Sequence, residues 1–200
     1  MKKLLIISHV LPFPGNSGQQ LRLRNTIEAL RKSFHVTFLT ACRAEELAET
    51  TAKLENYADE VVCLRSLYNR NAVSKLVHSG IGSLYSAYSA LKKSNYVLAE
   101  LEFTPARIEA GLAGKHFDLV LFEYWHAYKA ASVFQSRNIP CVVDTHNVLS
   151  SSLRQQLVNR RVPSWISEFR TRRYSSVEGK AWNAFDGIIA INREEEKVIR

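Results

Sequence analysis

The sequence has few cysteines, and their spacing follows no ligand or disulfide pattern. Cys42, Cys63 and Cys141 are the three among 200 residues, with neither CxxC spacing nor a histidine at ligand spacing. An odd number of scattered cysteines, two of them in apolar strand-like runs, is typical of reduced thiols that pack as small hydrophobic side chains. We therefore expect neither a disulfide framework nor a metal site.

Long apolar runs are also missing. After Met1, Lys2 and Lys3, the first apolar run extends only from Leu4 to Ile7, whereas a secretory signal needs about 7–15 apolar residues. No stretch approaches the roughly 18 apolar residues of a membrane-spanning helix. These absences predict a cytoplasmic chain.

Two common nucleotide-binding motifs are absent. The loop 12–18 contains Gly15 and Gly18 as GxxG, without the lysine of a Walker A motif and without the third glycine of GxGxxG. The second predicted strand ends with Leu39 and Thr40, so the acid that binds a ribose in dinucleotide-dependent enzymes is missing as well. The sequence therefore disfavours a dinucleotide-dependent enzyme.

What the chain does have is the composition of one folded, basic domain. Hydrophobic residues make up 46% and charged residues 23%, as in ordinary globular proteins. Residues 1–200 suffice for one sizeable core, and we treat them as a single domain. The formal net charge of +8 attracts nucleic acid, an anionic membrane surface or phosphorylated substrates, and composition does not choose among these.

Short apolar runs alternate with helical patterns along the chain. The runs are continuous rather than alternating, which indicates strands buried on both faces of a parallel sheet. The predicted strands are 4–7, 35–40, 60–64, 117–122, 140–144 and 186–191. The predicted helices are 19–32, 43–55, 125–137 and one from 193, with two or three more within 65–115, the last beginning near Thr104 and Pro105. This alternation predicts an α/β fold with a doubly wound parallel sheet, Rossmann-like.

Polar clusters follow three of the predicted strands, where ligands bind in a doubly wound sheet. The first cluster is the loop of Gly15, Asn16, Ser17 and Gly18, which precedes a helix N-terminus. Glycines let a ligand approach the backbone, and a helix N-terminus favours an anion, so this loop suits a phosphate. An ordinary turn is the alternative.

The second cluster is Glu123, Tyr124, Trp125 and His126. A carboxylate, two aromatic rings and an imidazole are suited to a carbohydrate, since rings stack on sugars and polar tips bind hydroxyls. In the alternative interpretation, Tyr124 and Trp125 only seal the next helix onto the sheet.

The third cluster is Asp144, Thr145, His146 and Asn147. His146 can donate a hydrogen bond or titrate near neutral pH. Alternatively, Asp144 or Asn147 caps the next helix and His146 fills a gap. His9, beside the glycine loop at the end of the first strand, is ambiguous.

Three stretches, in their order and spacing, resemble the N-terminal domain of glycosyltransferase family 4, the group 1 retaining enzymes of GT-B architecture. They are LLIISHVLPFPGNSGQQLRLRNTIEALRKSFHVTFLT, FDLVLFEYWHA, and VVDTHNVLSSS followed by EGKAWNAFDGIIAINREEEKVI. The resemblance implies the acceptor-side domain of an enzyme that moves a sugar from a nucleotide-sugar to a glycan, lipid-linked or lipopolysaccharide-type acceptor.

The resemblance also implies roles for individual residues. His146 would be catalytic, near the transferred sugar, and Arg22 would join the loop Gly15, Asn16, Ser17 and Gly18 at the donor phosphates. The resemblance places Glu123 and His126 where the acceptor cleft is lined. From their positions after the same strands, we expect the acceptor to be bound by His9, Glu123, Tyr124, Trp125, His126, Asp144 and Asn147. No metal and no cofactor are implied, only the nucleotide-sugar as co-substrate.

The second domain of the family, which binds most of the nucleotide-sugar and supplies a pair of glutamates, has no counterpart in this sequence. The last helical pattern, from Arg193, ends without a glycine or proline stop. We expect a domain that is inactive alone and a hexosyltransferase when complete. The alternative is a non-catalytic Rossmann-like binding or partner module.

A basic, aromatic segment runs from Arg154 to Arg173. Helical spacing places Trp165, Ile166 and Phe169 on one face. That face either packs on the domain or docks on an anionic membrane surface, which would place the chain peripherally at the inner face of the membrane. No nucleic-acid-binding signature accompanies the arginines, so we expect no nucleic-acid partner.

Overall fold

A parallel six-stranded sheet forms the centre of the computed structural model, which describes residues 1–67 and 102–199. The strands are β1 (Lys2–Ile7), β2 (Phe34–Cys42), β3 (Glu60–Arg65), β4 (Leu119–Glu123), β5 (Cys141–Asp144) and β6 (Gly187–Ile189). They are arranged in the order β3-β2-β1-β4-β5-β6, and every neighbouring pair is parallel. The predicted doubly wound, Rossmann-like α/β fold is confirmed.

The strands are connected by helices, as predicted, with changes in detail. Within the described residues, the helices are α1 (Gly18–Leu30), α2 (Leu47–Leu54), α3 (Pro105–Leu112), α4 (Ala131–Gln135), α5 (Leu149–Asn159), α6 (Ser164–Trp182) and α7 (Arg193–Ile199). The predicted helix 43–55 is a 3-10 turn, Ala44–Glu46, followed by α2. The predicted helix 125–137 is likewise a 3-10 segment, Trp125–Ala130, followed by α4, because Ala127 departs from helical geometry.

The segment 65–115 was expected to hold two or three helices. Its last helix, α3, begins at Pro105 behind Thr104, as predicted, although the side chain of Thr104 makes no capping hydrogen bond. The remainder of that expectation falls on residues 68–101, outside the described residues.

The central strand β1 explains why a continuous apolar run belongs in this sheet. Successive side chains of a strand point to opposite faces. Leu5 and Ile7 accordingly pack in one hydrophobic cluster and Leu4 and Ile6 in another, all at most 1% exposed. Burial of both faces fixes β1 between its neighbours and positions the loops that follow it.

The strand order reverses direction between β1 and β4, which opens a crevice at the carboxyl ends of the strands. The register pairs Ile7 with Phe122 and Glu123 with Asp144. The loops after β1, β4 and β5 therefore meet at one edge of the sheet, where the polar clusters were predicted.

The three cysteines form no disulfide, and the described helices differ from membrane-spanning ones. All three cysteines are free thiols, two of them buried and Cys63 partly buried. In the part of the chain that the structure describes, every helix is too short or too polar to cross a membrane.

Candidate functional site

A buried contact between His146 and Glu123 lies at the centre of the site. Glu123 ends β4, and His146 lies in the loop between β5 and α5. Nε2 of His146 contacts Oε2 of Glu123, and the two side chains are 3% and 1% exposed. Among the described residues, the second oxygen, Oε1 of Glu123, has no hydrogen-bond partner. One buried acceptor oxygen of this pair is therefore without a hydrogen bond from the described residues.

The second pair is Arg22 and Asp144. Nη2 of Arg22 donates to both carboxylate oxygens of Asp144, at 2.7 and 2.9 Å, and Nε donates to one of them at 3.1 Å. Such two-pronged contacts are among the stronger hydrogen bonds in proteins. Asp144 also accepts the backbone N–H of His146 at 3.3 Å. It thus joins Arg22 on α1 to the loop that carries His146.

Aromatic rings surround His146. The ring of Tyr124 stacks on its imidazole, with centroids 4.6 Å apart and an interplanar angle of 13°. The rings of His9 and His126 lie 5.1 and 5.6 Å from that of Tyr124. Tyr124 and His146 both have positive φ, 71° and 52°, a conformation that non-glycine residues adopt rarely and that is concentrated at functional sites.

Burial shifts the pKa of two titratable groups of the cluster towards their neutral forms. Burial lowers the pKa of His126 to about 3, with a smaller contribution from His9, so its ring is neutral at pH 7. Burial raises the pKa of Glu123, and the contact with His146 opposes this effect. The guanidinium of Arg22 is the cation paired with Asp144, and its side chain is 29% exposed, so solvent reaches it.

Three of these side chains could also be considered as metal ligands. One ligand atom each from Glu123, Asp144 and His146 lie within 4.8 Å of one another. However, Arg22 already occupies both oxygens of Asp144, and Glu123 occupies Nε2 of His146. A metal cation at these three ligand atoms would therefore have to displace the guanidinium of Arg22.

The glycine loop is closed by Gln20, a residue with no signal in the sequence. Its Oε1 accepts the backbone N–H groups of Gly15 and Asn16, at 3.1 and 3.2 Å. The hydroxyl of Ser17 caps α1 by accepting the N–H of Gln20. The backbone N–H groups of Gly15 and Asn16 are thus already engaged in hydrogen bonds to Gln20. A donor-phosphate role for the loop stays a prediction, and beside Gly18 there is open space for a ligand.

Trp125 is the aromatic residue of the second cluster that packs inward. It is 4% exposed, and its indole Nε1 donates to Glu178 at 3.1 Å. Glu178 lies on α6, is fully buried, and also accepts the backbone N–H groups of Leu149 and Ser150 at 2.8 and 3.0 Å. The start of α5 is therefore capped by a carboxylate from another helix. This location favours the packing interpretation of Trp125.

The alternative in which Asp144 or Asn147 caps the following helix is wrong, because Glu178 performs that role. Asp144 is bound to Arg22, and Asn147 is exposed. An acceptor-binding role for Asn147 stays a prediction. The structure thus gathers most of the predicted side chains into one cluster: His9, Arg22, Glu123, Tyr124, His126, Asp144 and His146.

Comparison with known proteins yields distant structural matches. No protein-family model matches the sequence, and no curated protein matches it. Among solved structures, the chain is similar to the glycotransferase of kitacinnamycin, with 14% identity and a TM-score of 0.43, covering 90% of this chain and 40% of that one. It is also similar to a Listeria monocytogenes protein described as a UDP-N-acetylglucosamine 2-epimerase, with 10% identity and a TM-score of 0.49, covering 98% and 41% of the two chains. The chain spans about two-fifths of the length of either protein.

Proposed function

We propose that this chain is the N-terminal, acceptor-side domain of a retaining glycosyltransferase of GT-B architecture, of the family 4 type. The enzyme would move a sugar from a nucleotide-sugar to a glycan, lipid-linked or lipopolysaccharide-type acceptor. The observation that carries the proposal is the linked set of contacts Glu123–His146 and Arg22–Asp144 at the switch point of the sheet. Sequence resemblance assigns these same positions to the two substrates.

Arg22 is suited to the phosphates of the donor. A guanidinium has five N–H donors, and the contacts with Asp144 use Nε and Nη2, which leaves Nη1. Asp144 holds the group in a fixed direction, so an incoming diphosphate meets a pre-oriented cation. Stabilisation of charge on a leaving diphosphate is the kind of electrostatic effect on which group transfer depends.

His146 and Glu123 are suited to the reacting hydroxyl groups. In the reaction, an acceptor oxygen bonds to the anomeric carbon, the bond to the diphosphate breaks with its electron pair, and the departing diphosphate takes up the proton of the acceptor hydroxyl. Nε2 of His146 faces Glu123, and Nδ1 makes no hydrogen bond within the described part of the chain. Nδ1 and Oε1 of Glu123 are then the atoms that can hold and orient a sugar hydroxyl.

The test compares the 200-residue chain with the complete reading frame that contains it. Both are assayed for nucleotide release from UDP-, GDP- and ADP-sugars, with a membrane extract as acceptor. We expect release by the longer protein only, since most of the donor site belongs to a second domain. A reading frame that ends at Arg200, or a longer protein that is silent with every donor, would favour a non-catalytic binding or partner module.

A further inference from the structure

Helix α6 carries apolar side chains on two opposite faces. One face is buried against the domain and includes Tyr174, Ala181 and Trp182. On the other face, Trp165 is 73% exposed and Phe169 is 54% exposed. The interpretation in which this second apolar face packs on the domain is therefore wrong for these two residues. An exposed tryptophan and an exposed phenylalanine one helical turn apart indicate a surface that contacts a binding partner.

Arginines surround these two aromatic residues. Trp165, Phe169, Arg172 and Arg173 recur at helical spacing and line one groove along α6, together with Ser176 and with Glu168, which lies 3.8 Å from Arg172. The guanidinium of Arg173 lies over the ring of Phe169, 5.2 Å from its centroid. We call Trp165, Phe169, Arg172 and Arg173 the α6 outer face.

The neighbouring turn extends the same kind of surface. Helices α5 and α6 pack on each other and are joined by residues 160–163. In that turn Arg160 and Arg161 are exposed, and Val158, near the end of α5, is 62% exposed. Residues 149–182 contain seven basic and two acidic side chains, and thus carry +5 of the formal net charge of +8.

We propose that the α6 outer face docks on an anionic phospholipid membrane. Trp165 and Phe169 would insert at the boundary between headgroups and acyl chains, where aromatic side chains are favoured. Arg172 and Arg173 would bind lipid phosphates, with Arg160 and Arg161 adding long-range attraction. Such a membrane attracts proteins by burial of apolar side chains and by its negative charge. The exposed aromatic residues suit the first effect, and the basic segment suits the second. This inference does not rest on the proposed transfer reaction.

Docking by this face would place the candidate site near the lipid surface. Helix α5 begins three positions after His146, and its 11 residues span about 16 Å. A lipid-linked acceptor could then reach the site without leaving the membrane.

Tryptophan fluorescence provides a direct test with the unmodified chain. The protein has three tryptophans, and Trp125 and Trp182 are 4% and 8% exposed, so a change of emission on lipid binding reports mainly Trp165. We expect phosphatidylglycerol-containing vesicles to shift the emission to the blue, and high salt to reduce the shift without abolishing it, because salt screens only the electrostatic contribution. Pure phosphatidylcholine vesicles should give little change. Equal shifts with both vesicles, or none with either, would overturn the proposal.

Variants measured by vesicle co-sedimentation separate the contribution of the arginines on the α6 outer face from the effect of the protein's net charge. Each basic residue near an anionic surface strengthens binding by about fivefold, so Arg172→Glu with Arg173→Glu should weaken binding by at least about 25-fold. The matched control is Lys2→Glu with Lys32→Glu, which changes the net charge equally at exposed positions outside the segment. Equal losses for both pairs would reduce the effect to net charge and contradict a defined docking face.

The apolar contribution has its own pair of variants. Trp165→Ala with Phe169→Ala should abolish the salt-resistant part of binding, whereas Ile191→Ala with Val198→Ala, also at exposed positions, should leave it unchanged. Unchanged thermal melting confirms that the variants fold. If the aromatic pair instead abolishes concentration-dependent self-association while vesicles fail to bind the wild type, the face is a protein interface and membrane docking is wrong.

Discussion

At the scale of single residues, His146 combines three constraints. It contacts Glu123, stacks on Tyr124 and has a left-handed backbone conformation. Asparagine tolerates that backbone better than alanine does, so His146→Asn is the cleaner substitution. In the complete enzyme we expect this variant to lower kcat about 100-fold, because it removes a group that orients a reacting hydroxyl. Turnover at saturating donor measures the effect, and circular dichroism checks the fold.

Wild-type turnover in that variant would remove His146 from the chemistry. Loss of circular dichroism together with turnover would instead assign His146 a structural role, since its ring is buried.

His126 gives the fold a pH dependence whose sign can be worked out. Its pKa is lowered from 6.5 to about 3 in the folded chain, so below pH 6.5 only the unfolded chain takes up this proton. Stability must therefore fall as the pH drops from 6.5 towards 3. At pH 5 the difference of 1.5 pH units corresponds to about 2 kcal/mol. The raised pKa of Glu123 acts in the opposite direction.

The variant His126→Phe isolates this contribution, because it keeps a buried ring and removes the titrating group. Urea unfolding at pH 7.5 and pH 5 should show a smaller loss of unfolding free energy in the variant than in the wild type. An identical pH dependence in the two proteins would mean that His126 is hydrated or protonated in the folded state.

The types of residue at the site could be predicted from the sequence, but their partners could not. Apolar runs mark the strands, so the residues that follow them, such as Glu123 and Asp144, can be placed at the carboxyl edge. The contact of Arg22 with Asp144 joins positions 122 residues apart. It depends on how α1 lies over the sheet edge, which no local pattern encodes.

At the scale of elements, the junction between α5 and α6 depends on one buried carboxylate. Glu178 accepts the two first N–H groups of α5 and the indole N–H of Trp125. Glu178→Ala leaves these three donors without their partner, and we expect a loss of about 3 kcal/mol of unfolding free energy. Glu168→Ala is the matched control on the same helix, because Glu168 is exposed and lies 3.8 Å from Arg172. It should change stability by less than about 0.5 kcal/mol.

Urea unfolding of the two variants decides this prediction. Similar stabilities would mean that water replaces the carboxylate at the start of α5. A large loss confined to Glu178→Ala would identify it as the group that fixes the helix behind His146.

Element boundaries were predictable where one physical signal dominates. The end of β1 at Ile7 and the Thr104–Pro105 start of α3 are such cases, whereas β1 starts two residues before the predicted strand. The helix expected over 125–137 begins instead with a 3-10 segment, since Tyr124 has positive φ and Trp125 turns inward to Glu178. The hydrogen bond from Trp125 to Glu178 joins the loop after β4 to α6. The periodicity of apolar residues in the sequence does not predict such a long-range contact.

At the scale of the whole molecule, the proposed function assigns donor binding to two domains, with the crevice edge of this sheet contributing a part. The described site offers one guanidinium, neutral rings and hydrogen-bonding groups, which suit phosphate oxygens and sugar hydroxyls. Arg22 is the cation built into this site, held by Asp144. Under the proposed function, we expect most of the donor affinity to come from a second domain.

Ligand-induced stabilisation measures how much of the donor affinity resides in these 200 residues. A ligand at 100 times its Kd stabilises a folded protein by about 2.7 kcal/mol, which would raise the melting temperature of a 200-residue domain by several degrees. We expect UDP-, GDP- and ADP-sugars to leave the melting temperature of this chain within about 1 °C of that with inorganic pyrophosphate, because the role proposed for Arg22 is to bind phosphate oxygens. The complete protein should be stabilised clearly by its own donor. Stabilisation of the 200-residue chain by one nucleotide-sugar and not by pyrophosphate would contradict the two-domain division, since the base or sugar would then be recognised within these residues.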